Sequence, residues 1–243
     1  MQITAAEDIK KLGTILSIWA HPDDESFLAG GLLRAAVLNG QRVVCVTATK
    51  GEAGVQDETR WPPETLAETR ALELQQALVL LGIRKNYWLE GKDGHCDEMP
   101  GQAMTEKLAK IIELENPDTI VTFGSDGWTG HPDHRAVSRW VTDGVRSSGH
   151  HIAIYHVTCS PEHYQKDLQK IDELFDVFFN TDTPPLTPLK ECDIHFEMSP
   201  EILRTKLAAY KAMASQTEIM FTALGEDTLS KGLCCETFVR AKS

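Results

Sequence analysis

The sequence predicts an α/β fold: a three-layer, Rossmann-like open sheet, mostly parallel, with helices on both faces and an irregular C-terminal elaboration. Short apolar runs alternate with helical patterns over residues 14–157. The runs are apolar throughout rather than at every second position, as strands covered on both faces require. Each helical pattern lies between two runs, which is the arrangement of right-handed crossovers between parallel strands.

Five apolar runs predict the strands of the parallel sheet. They are residues 14–20, 42–48, 86–89, 119–123 and 152–157. Four helical patterns separate them, at residues 26–39, 64–81, 103–115 and 133–145. Glycines at 40 and 82 close the first two helices, and a proline at 63 opens the second, because glycine favours the end and proline the first turn of a helix.

The last third of the chain is less regular. It predicts a helix at 167–179, a proline-rich loop at 181–188, an exposed or edge strand at 192–198, and a helix that begins at the capping Ser199 and runs to about 214. We expect a single domain over residues 1–243, in which about 160–198 form an elaboration at the rim of the site.

Composition excludes several classes of protein. The chain has 243 residues and a formal net charge of −12, so a nucleic-acid partner is disfavoured. It has no apolar stretch of membrane-spanning length and no secretory leader pattern. Six cysteines without a Cys-x-x-Cys pair favour a reduced, cytoplasmic protein. Homo-oligomers are common among such proteins, but the sequence identifies no interface.

Two histidine clusters carry the predicted chemistry. His21-Pro-Asp-Asp-Glu follows the first strand, and His131-Pro-Asp-His follows the fourth. Open parallel sheets bind ligands outside the carboxyl ends of their strands, so both clusters fall where the fold already places a site. Asp23, Asp24 and Asp133 would also serve as helix caps, but capping does not explain three histidines in two loops.

These residues favour a hydrolytic metal site. His21, Asp24 and His134 would bind one ion and leave a position for water, as in catalytic zinc sites. Asp23 would be the base, and His131 would donate a hydrogen bond to an oxyanion or a proton to a leaving amine. Asp133 would orient His131 and hold it in its charged form. Zn²⁺ is the expected ion, and Fe²⁺ also suits two imidazoles and a carboxylate.

Arg70 interrupts the apolar stripe of the second helix. Because that helix begins at the carboxyl edge of the sheet, we expect the guanidinium to face the rim of a pocket and bind substrate hydroxyls or a carboxylate. The alternative is an arginine whose stem packs in the core and whose head reaches solvent. Asp93 and His95, in a loop near the same edge, are secondary candidates for substrate contact.

Further motifs accompany the two clusters along the chain. They are residues 28–31 (Leu-Ala-Gly-Gly), 49–54 (Thr-Lys-Gly-Glu-Ala-Gly), 70–73 (Arg-Ala-Leu-Glu), 81–82 (Leu-Gly) and a C-terminal helix over 206–216. With these motifs the chain resembles the PIG-L/LmbE-like family of zinc-dependent N-acetyl-sugar deacetylases. The resemblance implies an N-acetylated sugar as the small-molecule substrate.

The same resemblance implies zinc on His21, Asp24 and His134, with Asp23 as the base and Arg70 as a substrate contact. It implies His131 as acid or oxyanion stabiliser, with Asp133 behind it. One departure is Met213, where many members of the family have a histidine.

Two other functions remain compatible with the residues. Two histidines and a carboxylate also describe non-haem iron oxygenases, although those enzymes commonly use a β-sandwich and would leave Asp23 without a role. A metal-stabilised sugar-binding module without turnover is the second alternative. Such a module would not need both Asp23 and His131.

Overall fold

The computed structural model describes residues 2–242, and its strands form one seven-stranded sheet in the order β3-β2-β1-β4-β5-β7-β6. The strands are β1 (Ile15–Trp19), β2 (Val43–Thr47), β3 (Asn86–Trp88), β4 (Thr119–Thr122), β5 (Ala153–Thr158), β6 (Ile194–Glu197) and β7 (Cys235–Arg240). Strands β1 to β5 pair in parallel, and β7 is antiparallel to both β5 and β6. The predicted open and mostly parallel sheet is confirmed.

Helices cover both faces of this sheet. They are α1 (Asp24–Leu28), α2 (Gly30–Leu38), α3 (Pro63–Leu81), α4 (Gly101–Glu115), α5 (Pro132–Ser148), α6 (Pro161–His163), α7 (Gln169–Phe175), α8 (Pro200–Lys211), α9 (Ala214–Leu224) and α10 (Glu226–Leu233). On one face α8 packs against α2 and α3, and on the other α4 packs against α5. Every residue of β1, β2 and β4 is buried, as strands between two helical layers must be.

The order of the strands reverses between β1 and β4. These two strands are neighbours, with Ile15 opposite Thr119 and Ser17 opposite Val121, although about 100 residues separate them in the chain. The loops after β1 and β4 therefore leave the sheet side by side at its carboxyl edge. This is the position at which doubly wound sheets bind ligands.

The helix predicted at residues 26–39 is broken into α1 and α2 at Ala29. The break frees the first backbone amides of α2, and Gly31 and Leu32 donate to the carboxylate of Glu236 at 2.8 and 2.7 Å. Lys206 donates to the same carboxylate at 2.7 Å, and both side chains are almost fully buried. A buried carboxylate at a helix N-terminus satisfies donors that would otherwise lack partners.

The last third departs most from the sequence-based expectation. The helix expected at 167–179 ends at Phe175 and is preceded by a π-helical turn at Tyr164–Leu168. The edge strand is confirmed as β6, while α9, α10 and β7 were not predicted. Ser215, near the start of α9, donates through its backbone amide and hydroxyl to Glu73 on α3, which fixes this C-terminal part against the sheet's helices. No helix within residues 2–242 combines the length and apolar composition needed to cross a membrane.

Replacing Glu236 should destabilise the fold strongly. Glu236→Gln leaves the ammonium of Lys206 buried without a counter-charge, and breaking a buried pair in this way costs about 3–5 kcal/mol. We expect this loss in the free energy of unfolding measured by urea titration.

Glu197→Gln, on the neighbouring strand β6 and mostly exposed, is the matched control and should change stability by less than about 0.5 kcal/mol. The double variant Lys206→Met/Glu236→Gln should recover part of the loss, because it removes the unpaired charge. A Glu236→Gln protein as stable as the Glu197→Gln protein would show that the buried pair does not stabilise the fold.

Candidate metal centre and active site

Three side chains from the two histidine clusters converge at the carboxyl edge of β1 and β4. Nδ1 of His21 lies 3.3 Å from Nε2 of His134 and 3.7 Å from Oδ2 of Asp24. Nε2 of His134 lies 3.6 Å from Oδ1 of Asp24. Asp24 and His134 are buried, and His21 is nearly so. The structure therefore brings together the three residues that the sequence predicts as ligands.

Each of these side chains is oriented by a second partner. Nε2 of His21 lies 2.9 Å from Oδ1 of Asp93 and 3.1 Å from Oδ2 of Asp133. Nδ1 of His134 lies 2.9 Å from the carbonyl oxygen of Gly127. A proton on each of these outer nitrogens leaves the lone pairs of His21 Nδ1 and His134 Nε2 aimed at a common point. This is the usual arrangement around metal-ligating histidines.

The donor set fits a small divalent cation. Two neutral imidazoles and a carboxylate are ligands of catalytic zinc sites. Ligand atoms about 2.0–2.1 Å from a tetrahedral ion lie about 3.3 Å apart, close to the separations observed here. The oxygen Oδ2 of Asp24 also accepts a hydrogen bond of 2.8 Å from the backbone amide of His21, which fixes the carboxylate.

Electrostatics also favour positive charge at this point. Burial lowers the pKa of His21, but its hydrogen bonds to Asp133 and Asp93 outweigh burial and raise the pKa to about 10. Burial and the charge of His21 hold the pKa of His134 well below its usual value, so His134 stays in the neutral form that binds metals. His21 therefore carries positive charge at neutral pH, and a divalent cation bound at Nδ1 would take the place of its second proton.

Asp23 lies beside the three candidate ligands without being one of them. Its backbone is held at a φ of 115°, a conformation that residues other than glycine rarely adopt. Oδ2 of Asp23 accepts a hydrogen bond of 3.0 Å from Nη2 of Arg70. Burial raises the pKa of Asp23, and the charge of Arg70 opposes that rise. A carboxylate with a raised pKa is suited to take up a proton.

Arg70 does not face the rim of a pocket as expected. Its side chain is 4% exposed, and its guanidinium donates to the carbonyl oxygens of Gly51 and Pro22, each at 2.6 Å, as well as to Asp23. A Cβ atom at Gly51 would lie 2.2 Å from the guanidinium carbon, and one at Gly54 would lie 2.7 Å from Nη1. The glycines of residues 49–54 let the loop close over Arg70 and keep it away from solvent.

The contacts of Asp133 also differ from those expected. Its carboxylate accepts hydrogen bonds from the backbone amides of Gly94 and Cys96, and it contacts His21 rather than the ring of His131. Nδ1 of His131 accepts from the backbone amide of Asp133. Burial and the charge of His21 lower the pKa of His131. Nδ1 of His131 therefore accepts a hydrogen bond and its Nε2 carries the proton, whereas the sequence predicts that Asp133 holds this ring in its charged form.

A second group of candidate ligands consists of His21, His131 and Asp133. It is the less suitable set, because the Asp133 carboxylate is already occupied by two backbone amides and by His21, and because Nδ1 of His131 is occupied by an amide.

Of the two secondary candidates, Asp93 lies at the candidate centre and His95 does not. Asp93 is buried and joins the centre through His21, whereas His95 is 43% exposed and lies 3.2 Å from Glu98. Met213 is buried at the start of α9. The sequence indicates that Asp93 lies near the site, but no spacing pattern predicts that its carboxylate contacts the ring of His21.

A cavity of about 350 Å³ opens above the candidate ligands. Asp23, Asp24 and His134 line one end of it. Much of the remaining wall is apolar and comes from Phe27, Trp128, Phe175, Val177, Phe179, Tyr210, Ile219 and Met220. Sequence patterns did not identify this wall, because isolated aromatic residues in helices and loops are indistinguishable from core residues.

Comparison with known proteins identifies relatives of the chain. The model of the PIG-L family, described as GlcNAc-PI de-N-acetylase, matches residues 16–145. A curated 1D-myo-inositol 2-acetamido-2-deoxy-alpha-D-glucopyranoside deacetylase from Actinosynnema mirum is 27% identical over 230 residues, which cover 84% of this chain and 81% of the relative. Several further curated relatives with that name align over only about half of their own length.

Solved structures share the fold. The N,N'-diacetylchitobiose deacetylase from Pyrococcus horikoshii superposes with a TM-score of 0.66 at 22% identity, over 96% of this chain and 85% of that one. The zinc-inhibited form of teicoplanin deacetylase Orf2 superposes with a TM-score of 0.69 at 18% identity, over 95% of this chain and 99% of that one. At these identities the likeness establishes a common fold.

The three converging side chains should bind one divalent cation. Protein dialysed against Zn²⁺ should retain about one ion per chain in elemental analysis. Asp24→Asn and His134→Ala should weaken binding at least about 100-fold in a competition titration with a chromophoric chelator, because each removes a ligand.

His95→Ala removes a histidine of the neighbouring loop that contacts none of the three ligands, and it should bind Zn²⁺ like the wild type. Equal affinity in the wild type and the His134→Ala variant would exclude this metal centre.

Proposed function

The chain belongs to the PIG-L family, and from that membership and the geometry of its site we propose that it is a zinc-dependent hydrolase that removes the acetyl group from an N-acetylated sugar or a related small amide. The observation that carries the proposal is the convergence of His21 Nδ1, His134 Nε2 and the Asp24 carboxylate beside a further carboxylate, Asp23. The three-layer parallel fold supports this reading over an iron oxygenase on a β-sandwich.

His21, Asp24 and His134 would hold the cation. A divalent cation held there supplies Lewis acidity, since it lowers the pKa of water and polarises a carbonyl oxygen. Zn²⁺ is the ion we propose, and Fe²⁺ is the alternative that the same ligands would accept.

Asp23 is the proposed general base. Arg70 fixes its Oδ2, so the proton of the attacking water is taken up at Oδ1. The raised pKa of this carboxyl, caused mainly by burial, brings its proton affinity closer to that of a base acting near neutral pH. Asp23 lines the cavity and its side chain is 27% exposed, so water reaches it.

His131 is the proposed hydrogen-bond donor to the developing oxyanion, and the proton that Asp23 takes from the water would pass to the leaving nitrogen. The backbone amide of Asp133 occupies Nδ1 and leaves Nε2–H as the donor. Because this N–H group is already held in position, it can stabilise the negative charge that develops on the substrate oxygen without any rearrangement. The ring centroids of His131 and His134 are 5.0 Å apart, which places the donor beside the ligands.

Arg70, Asp93 and Asp133 are proposed as positioning residues. Arg70 holds Asp23 and two loop carbonyls, while Asp93 and Asp133 hold the proton-bearing Nε2 of His21. Such outer partners set the orientation and basicity of the ligand without touching the substrate.

Two wider proposals accompany the activity. The chain forms one domain over residues 1–243, and residues of about 160–198 shape the substrate rim; Phe175, Val177 and Phe179 on the cavity wall support this. The protein acts in the cytoplasm on a small N-acetylated sugar, which is supported by six cysteines that are all free in the structure.

Removing the proposed base should abolish turnover but not metal binding. Asp23→Asn should lower kcat by about 10²–10⁴-fold for every N-acetyl glycoside that the wild type cleaves, because an amide does not accept the proton. Acetate release measures the rate, and elemental analysis confirms the zinc content.

Asp227→Asn, an exposed aspartate at the first turn of α10, is the matched control and should keep the wild-type rate. Full activity of the Asp23→Asn protein would overturn the assignment of the base. A zinc-loaded wild type that releases no acetate from any glycoside of a broad panel, yet binds them in calorimetry, would favour a binding module.

A further inference from the structure

The cavity above the candidate metal centre is divided into a polar end and an aromatic wall. The polar end contains Asp23, Asp24, His134 and Thr129, and two further polar side chains, Gln56 and Gln216, also line the cavity. Along the wall the ring centroids of neighbouring aromatic residues lie 5.4 Å apart for Tyr210 and Phe27 and 5.8 Å apart for Phe27 and Trp128. These three rings therefore neighbour one another and form a continuous aromatic surface in the cavity.

Hydrogen bonds and ring packing fix the outer part of this wall. Oδ1 of Asp172 accepts from the backbone amide of Phe178 at 3.1 Å, and Oδ2 accepts from the hydroxyl of Tyr164 at 2.5 Å. Phe178 is buried against Trp128, with 5.0 Å between ring centroids. These contacts hold the segment that presents Phe175 and Phe179 to the cavity.

Two large apolar side chains at this opening remain exposed. Phe179 is 57% exposed and Ile219 is 50% exposed, and both line the cavity. Exposed apolar groups around a concave site cost free energy in water unless a ligand covers them, so they indicate an apolar ligand group.

The charges of the lining side chains favour an uncharged ligand. None of the described residues that line it is lysine or arginine, while Asp23 and Asp24 add negative charge. Arg70, the nearest arginine described above, is buried and already paired with Asp23. A phosphate or carboxylate placed on the aromatic wall would have no counter-charge from the lining side chains and would face the overall charge of −12.

We infer that the substrate is uncharged and carries an alkyl or aryl group that packs on this aromatic wall while its amide lies at the polar end. This inference rests on the proposed deacetylase function and adds the chemical class of the substrate. The apolar group belongs either to the aglycone or to the acyl chain, and the experiment separates these two sources.

The test measures release of free amine by the zinc-loaded wild type from a matched set of substrates. The reference is the methyl glycoside of N-acetylglucosamine. The aglycone arm is its phenyl glycoside, the acyl arm is the N-hexanoyl methyl glycoside, and the charged arm is N-acetylglucosamine 1-phosphate. We expect kcat/KM at least about ten-fold above the reference in one apolar arm, since each methylene in an apolar pocket is worth ten-fold or more.

The 1-phosphate should be cleaved no faster than the reference. Phe179→Ala should reduce the preference for the apolar arm about ten-fold, because it removes an exposed ring of the wall. Leu174→Ala, equally exposed in the same segment but outside the cavity lining, should leave that preference unchanged.

Three results would overturn the inference while leaving the proposed function intact. They are an equal kcat/KM for the reference and both apolar arms, a preference for the 1-phosphate, and equal losses in Phe179→Ala for the reference and the favoured arm. The last result would mean that the wall packs on the sugar ring itself. No cleavage in any arm would overturn the inference together with the proposed function.

Discussion

The ring of His21 connects three segments of this protein, namely those that follow β1, β3 and β4. His21 follows β1, and its Nε2 contacts Asp93 from the loop after β3 and Asp133 from the first turn of α5. The two carboxylates are in turn held by backbone amides, Asp93 by Ala53 and Asp133 by Gly94 and Cys96. The contacts of Nε2 with these two carboxylates fix the ring of His21. They thereby set the direction of Nδ1, the nitrogen that faces Asp24 and His134 in the candidate metal centre.

Much of the fold and the innermost part of the site follow from local sequence. Buried parallel strands are continuous apolar runs, and two histidine clusters at the ends of such runs must meet if β1 and β4 are neighbours. The contacts of Arg70 and Asp133 could not be predicted, because they depend on how the loop at Gly51 and the loop at Gly94 close over them. The strand β7 was missed because its pairing with β5 and β6 is antiparallel and long-range.

The site joins two environments with opposite requirements. Around His21 the chain buries several carboxylates, which is costly unless each is paired or hydrogen-bonded. A short distance away, Phe27 and Trp128 contact each other and contribute aromatic rings to the cavity lining. The first environment belongs to the loops of the parallel sheet, and part of the second comes from the segment around Phe175. The aromatic lining thus comes partly from the segments that carry the candidate ligands, through Phe27 and Trp128, and partly from the segment around Phe175.

The enclosure of Arg70 by Gly51 and Gly54 constrains how this protein can evolve. A side chain at position 51 would occupy the space of the guanidinium, and loss of the guanidinium would leave two carbonyl oxygens and Asp23 without their donor. Either change alone would therefore disturb the contact between Arg70 and Asp23. The packing of Gly51 and Gly54 against Arg70 thus couples the loop at residues 49–54 to the orientation of the Asp23 carboxylate.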